Sequence, residues 1–180
     1  MLREMALMIQ IAFQPAYDAF HAMFRFFQIK SLWNGNREIE LDRYRIIDYY
    51  LCFPDKLVDF RFQREHARYK KVSKEFYAEH SFEYSPSGRV VLERMKPIQF
   101  AALETLAEEG FLEENSLYAF RVLLTDVMPS EHVSDRLSKR RSEHVELYDA
   151  LSALLNDYDL LGPSGLKARA DLLEYRYDAI

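Results

Sequence analysis

Cysteine, glycine and proline are scarce in this 180-residue chain, at one, five and six residues, and each scarcity excludes something. The lone Cys52, in "YYLCFPD", rules out a disulfide framework within the chain and fits a reducing compartment. Set between large apolar residues, it reads as an inert core thiol. So few glycines leave little material for a loop that cradles phosphate. The sequence holds no GxxxxGK followed by Ser or Thr and no GxGxxG, and HExxH, GxSxG and any cysteine cluster are missing too. No nucleotide site, metal site or other cofactor is expected. Little Gly and Pro beside 13 Phe and 12 Tyr argues against disorder and against a loop-rich scaffold. No apolar run is long enough to span a bilayer. The opening "MLREMALMIQIAFQPAYDA" has the apolar look of a targeting segment, but Glu4 cancels Arg3, Gln10 interrupts the run and no clear small-residue cleavage site follows. It reads as mature protein, with Met5 or Met8 as alternative starts, and the expected location is the cytoplasm.

What is present is enough apolar material, 49% of residues, to bury a sizeable core in one domain or in one domain with a small appendage. Alternation of Ile9, Ile11 and Phe13 suggests a short strand. In "AYDAFHAMFRFFQIKSLW" the residues Tyr17, Phe20, Phe24 and Phe27 recur at helical spacing, which predicts an amphipathic helix with those rings inward. "NGN" at 34–36 signals a turn. A second helix, "DRYRIIDYYLCF", is capped by Asp42 and stopped by Pro54, with Tyr44, Ile46, Ile47, Tyr50 and Leu51 inward. The stretch from Lys56 to His80 reads as a helix, and "FEYSPSGRVVL" as a hairpin running from Phe82 and Tyr84 into Val90 to Leu92. Pro97 suits a first helical turn, Phe100, Leu103 and Leu106 a core face, and Gly110 a left-handed cap that lets Phe111 fold back. "LYAFRVLLT" alternates Tyr118, Phe120, Val122 and Leu124; strand and helix both stay open there. A long helix starts at Pro129 and Ser130 and changes from charged to leucine-rich, with Leu147, Leu151, Leu154 and Leu155. A last helix sets Leu166, Ala170, Leu173 and Tyr177 on one face. The expected fold is mainly α with a small β-sheet: a winged-helix-like domain over 1–129 and a C-terminal helical hairpin over 130–180, packed together as one unit.

Chemistry is sparse. Asp18 and His21 share a helix face, and so do His132 and Asp135, and His80 and Glu83. Such a pair could be half a metal site or an acid–base couple, but an exposed polar stripe or an orienting ion pair explains it as well, and no further ligands join it. The chain is not expected to be an enzyme; an unrecognised hydrolase built on Asp18 and His21 is the remote alternative. Of more weight is the basic stripe Arg61, Arg64, Arg68 and Lys71, with Arg140 and Arg141 of "KRR" as a second cluster. These six residues could neutralise phosphates or an acidic protein partner. The plain alternative is a solvated face, screened in part by Asp59, Glu65 and Glu75.

The helix after Pro97 stands where a winged-helix domain reads DNA. A reading helix should offer Arg, Lys, Asn or Gln in its first half. This one offers Gln99, then Glu104, Glu108 and Glu109, which repel a phosphate groove. A protein interface is the better use.

Three blocks, "QPAYDAFHAMFRFF", "ELDRYRIIDYYLCFPDKL" and "MKPIQFAALETLAEEGFL", in this order and approximate spacing, resemble the middle components of bacterial ABC-three-component systems, anti-phage defence operons related to the Lamassu type. The similarity runs from about residue 9 to the last helix, in patterns of fold rather than catalytic signatures. The resemblance implies a non-enzymatic adaptor with a winged-helix-like fold. Its partners would be an SMC-like or ABC-type ATPase subunit and an effector subunit, often a nuclease, with DNA as a further partner of the complex and no membrane. It carries over no active-site residue. The alternative is a winged-helix nucleic-acid-binding protein or regulator.

Overall fold

Helix α2 (Leu41–Cys52) has almost no polar side: Leu41 and every residue from Arg43 to Tyr50 are buried. A helix enclosed all round must sit at the centre, and the other elements take their places from it. In the computed structural model, which describes residues 14–80 and 86–175, α2 packs against α1 (Ala19–Leu32), α4 (Gly88–Glu108), α6 (Val145–Asn156) and the short α7 (Leu166–Ala170). Strand β1 (Glu38–Glu40) runs straight into α2 and pairs antiparallel with β2 (Arg121–Leu123), Ile39 opposite Val122. Both of these side chains are fully buried. An isolated bridge between Leu112 and Leu124 adds a third position on the far side of β2. The expected mainly helical fold with a small sheet is therefore what the chain adopts. The proposed strand at Ile9, Ile11 and Phe13, the positions Phe82, Tyr84 and Tyr177, and the His80–Glu83 pair lie outside the described residues or side chains.

Several elements depart from expectation. In α1 the inward residues are Ala22, Arg25, Phe26, Ile29 and Leu32, while Phe20 is 77% exposed. The helix is turned because Arg25 has a partner in the interior: its Nε donates to Asp48 Oδ1 at 2.5 Å and its Nη1 to the Pro15 carbonyl at 2.7 Å. Asp48 also accepts from Gln99 Nε2 at 2.9 Å, and Arg45 Nε donates to Gln99 Oε1 at 3.2 Å. One buried polar chain thus joins α1, α2 and α4. Burial, and then Asp48, push the Cys52 thiol well above its ordinary range, so it stays protonated as an inert thiol should.

Helix α4 begins at Gly88, nine residues ahead of the expected start, and carries Pro97 in its interior. Val90 to Leu92 are helical, so the expected hairpin does not form there. The buried residues Val91, Leu92, Met95, Gln99, Ala102, Leu103 and Leu106 make one stripe at helical spacing straight through the proline. Pro97 removes the amide that would bond Glu93, but both residues lie on the exposed face, where water satisfies the freed carbonyl. A Cβ on Gly88 would meet Leu172 at 2.6 Å and the Tyr49 hydroxyl at 2.9 Å, so close packing requires glycine. At the other end Gly110 takes φ 80°. The Phe111 amide bonds the Leu106 carbonyl and the Gly110 amide that of Ala107, both at 2.9 Å: a Schellman cap, as the sequence suggested.

The stretch from Lys56 onward is not one helix but a 3-10 turn (Pro54–Val58), a break, a 3-10 run (Arg64–Lys71) and α3 (Val72–His80). Residues 114–119 form a 3-10 turn before β2, so both open readings of 117–125 hold in part. The long C-terminal helix is broken into α5 (Glu131–Glu143) and α6 by His144, at φ −134° and ψ 47°. Ser130 caps α5 by accepting from the Val133 amide. Leu147, Leu151, Leu154 and Leu155 are buried as expected; truncating the fully buried Leu151 would cost about 2–5 kcal/mol. Helix α7 stops after five residues because Asp171 turns left-handed, at φ 53°.

Candidate functional site

The 3-10 run over Arg64–Lys71 is anchored by Tyr69, and α3 begins with fully buried Val72. This leaves Arg64, Arg68 and Lys71 on the outside. The chain itself occupies much of the stripe. Arg61 is tied to α7: its amide donates to the Arg169 carbonyl at 3.2 Å, its guanidinium bonds the Ala168 carbonyl, and Arg169 Nη1 donates to the Arg61 carbonyl at 2.5 Å. Arg68 lies over the Tyr69 ring, 4.9 Å from its centre, and donates to the Tyr69 hydroxyl at 3.1 Å. Lys71 Nζ reaches Glu146 Oε1 at 2.7 Å. Arg64 forms no ion pair with a described residue. Arg140 and Arg141 sit in the last turn of α5, where cations suit the helix end. Arg140 lies near the Tyr148 hydroxyl of α6, where its charge opposes the rise that burial gives that phenol. Both basic clusters therefore flank the start of α6, interleaved with Glu146 and Asp149, rather than forming one continuous cationic face.

The Asp18–His21 spacing has a local cause. Asp18 caps α1, its Oδ1 accepting the His21 amide at 2.8 Å with His21 Nδ1 at 2.9 Å from the same oxygen. That amide hydrogen bond holds the Asp18 carboxyl below its ordinary range. His132 and Asp135 are both exposed on α5. Among the described residues no group of three or more His, Cys, Asp or Glu is placed to hold a metal ion. No helix among them is long and apolar enough to cross a membrane.

A cleft of about 410 Å³ opens where α4 begins, between Tyr49, Lys56, Asp59, Gly88, Arg89 and Asp171. Its cations are matched: Arg89 binds the Asp171 carboxylate and carbonyl, and Lys56 Nζ lies 3.3 Å from Asp55. The first half of α4 is further engaged by Glu93, 3.0 Å from Arg45. In its second half the charges differ. Glu104, Glu108 and Glu109, and Glu113 and Glu114 after the cap, are all exposed, and none forms an ion pair with a described residue.

Beyond these carboxylates stand two rings that the sequence pattern misplaces. Tyr118 is 80% and Phe120 74% exposed, although the alternation 118, 120, 122, 124 puts all four on one face. Only Val122 and Leu124 turn inward. The left-handed backbone of Phe120, at φ 56° and ψ 36°, breaks the alternation, and nothing in the local sequence marks it.

A family model described as ABC-three component (ABC-3C) system Middle Component 5 matches residues 11–178, nearly the whole chain. No curated protein and no solved structure gives a significant match.

Proposed function

The chain belongs to the middle component 5 family of ABC-three-component systems, and from that premise we propose that it is a non-enzymatic adaptor in anti-phage defence, acting in the cytoplasm. It docks on an SMC-like or ABC-type ATPase subunit and couples it to an effector subunit such as a nuclease. The elements are read as winged-helix-like. The order α1, β1, α2, α4, bridge, β2, with two 3-10 segments and α3 inserted between α2 and α4 and with β2 between β1 and Leu112, supports that reading, in which α4 is the counterpart of a DNA-reading helix. The observation that carries the proposal is the charge there: the second half of α4 and the loop beyond it present carboxylates that pair with no described residue, which a phosphate groove repels and a protein surface can match. The test is co-expression of the tagged chain with the products of its neighbouring genes. A stable complex containing an ATPase with a Walker A sequence is expected; a chain that elutes alone as a monodisperse monomer sinks the adaptor.

A second reading, contact with DNA within the complex, draws on Arg64, which forms no ion pair with a described residue, together with Arg68, Arg140 and Arg141. It expects duplex binding that weakens steeply with salt and disappears in Arg64→Glu, Arg68→Glu. Affinity indifferent to salt and to both substitutions excludes it.

A further inference from the structure

We infer that Tyr118 and Phe120, in the exposed segment that also carries the carboxylates of Glu113 and Glu114, form the contact through which this chain grips a partner protein, one whose surface offers an apolar slot rimmed by basic side chains. The inference rests on the adaptor reading and names the surface that performs it.

The argument starts from the backbone at Phe120. Its left-handed conformation has a task inside the chain: the Phe120 carbonyl accepts the Leu41 amide at 3.0 Å, at the entry to α2, while the Phe120 amide bonds the Leu117 carbonyl at 3.1 Å. The ring has none. It is 74% exposed, and a side chain of its size is disfavoured at positive φ, where glycine or asparagine sits without strain. A large, mostly exposed apolar group held in a costly conformation points to a use outside the chain. Tyr118, two residues away, is more exposed still. Aromatic side chains seated in a partner's slot dominate protein interfaces.

The surroundings select the partner's chemistry. From Glu104 to Phe120 the exposed charges are five carboxylates and no cation. The next residue, Arg121, is 3.3 Å from Glu38, and Arg37 binds Asp126, so neither neutralises Glu113 or Glu114. A concavity of about 230 Å³ adjoins the Phe120 ring, between Glu40, Asp42, Ala119, Arg121 and Leu160. Its own carboxylates are taken, Glu40 by Arg43 at 2.8 Å and Asp42 by Lys167 at 3.2 Å. The carboxylates that pair with no described residue thus lie in the exposed segment that leads to the rings, which suits a basic-rimmed protein slot and repels nucleic acid.

The test uses the full chain co-expressed with the products of its adjoining genes. Phe120→Gly removes the ring and suits the backbone, so this variant should melt no lower than wild type while binding the captured subunit about tenfold more weakly or worse. Tyr118→Ala should weaken binding in the same direction. Glu113→Lys with Glu114→Lys should slow association and abolish its salt dependence. If wild type captures a subunit and Phe120→Gly captures it equally well, the surface is wrong and the adaptor stands. If wild type captures none, both fall. If light scattering finds that the isolated chain is a dimer that Phe120→Gly dissolves, the occupant is a second copy and the inference is overturned.

Discussion

The first half of α4 carries four charged residues and the second half two, and the halves put them to different uses. From Gly88 to Gln99 the helix runs beside α2 and the end of α7, which supply Arg45, Asp48 and Asp171; Glu93, Gln99 and Arg89 are bound to them. Past Phe100 the helix leans on α1 and on the Phe27–Phe111 ring pair, 4.9 Å apart, which offer no countercharge. Glu104 and Glu108 are left to solvent. Charge on a helix becomes structural where a neighbouring element answers it and is available to partners where the neighbour is apolar.

The sharpest way to break this comparison is Asp48→Ala. It strands Arg25 without its counter-ion inside the protein and should cost about 3–5 kcal/mol; a loss below 1 kcal/mol in denaturant unfolding would mean that the buried chain does not hold α1, α2 and α4 together. Next comes Pro97→Ala, between the two halves. It restores an amide to an exposed helical position and should stabilise by up to about 3 kcal/mol. Unchanged or lower stability would show that the helix needs the proline. Glu93→Ala removes a half-exposed partner of Arg45 and should cost at most about 1 kcal/mol, shrinking as salt is raised; a salt-independent loss would place that pair in the interior. The smallest effect is expected from Glu104→Lys with Glu108→Lys. Folding stability should stay within about 0.5 kcal/mol, with any change upward because cations suit the last turn. Destabilisation beyond that would show that these carboxylates have partners within the fold.

How much of this was legible in the sequence depended on how far away each partner lay. The inward face of α2, the Gly110 cap, the helix start at Ser130 and the leucine face of α6 follow from residues within a turn or two of one another, and they were read correctly. The inward face of α1 is legible only in part: Tyr17 and Phe27 pack against the core and Phe20 does not, and Arg25 goes unseen because an arginine counts as polar until Asp48, 23 residues on, is known to receive it. The start of α4 was misplaced because Pro97 looks like a first turn when the stripe from Val91 is not followed through it. The pairing of β1 with β2 joins strands that the chain separates by three α-helices and three 3-10 segments, and three residues carry little period. Of the candidate site, the cations were all found, but that Arg61 is tied to α7 and Lys71 to α6 required the fold. Tyr118 and Phe120 stand out in the sequence only as members of an alternating run, and their exposure required the fold.

The break at His144 has a further consequence. No residue of α5 is buried, whereas seven of the twelve in α6 are. The amide hydrogens of α5 can therefore exchange with solvent through local fraying, at a small fraction of the free energy that unfolds the core. Those of α6 must wait for the whole domain to open. Deuterium uptake along the chain should fall abruptly within a turn of His144, so that two helices joined by one residue report on two different events in the life of the protein.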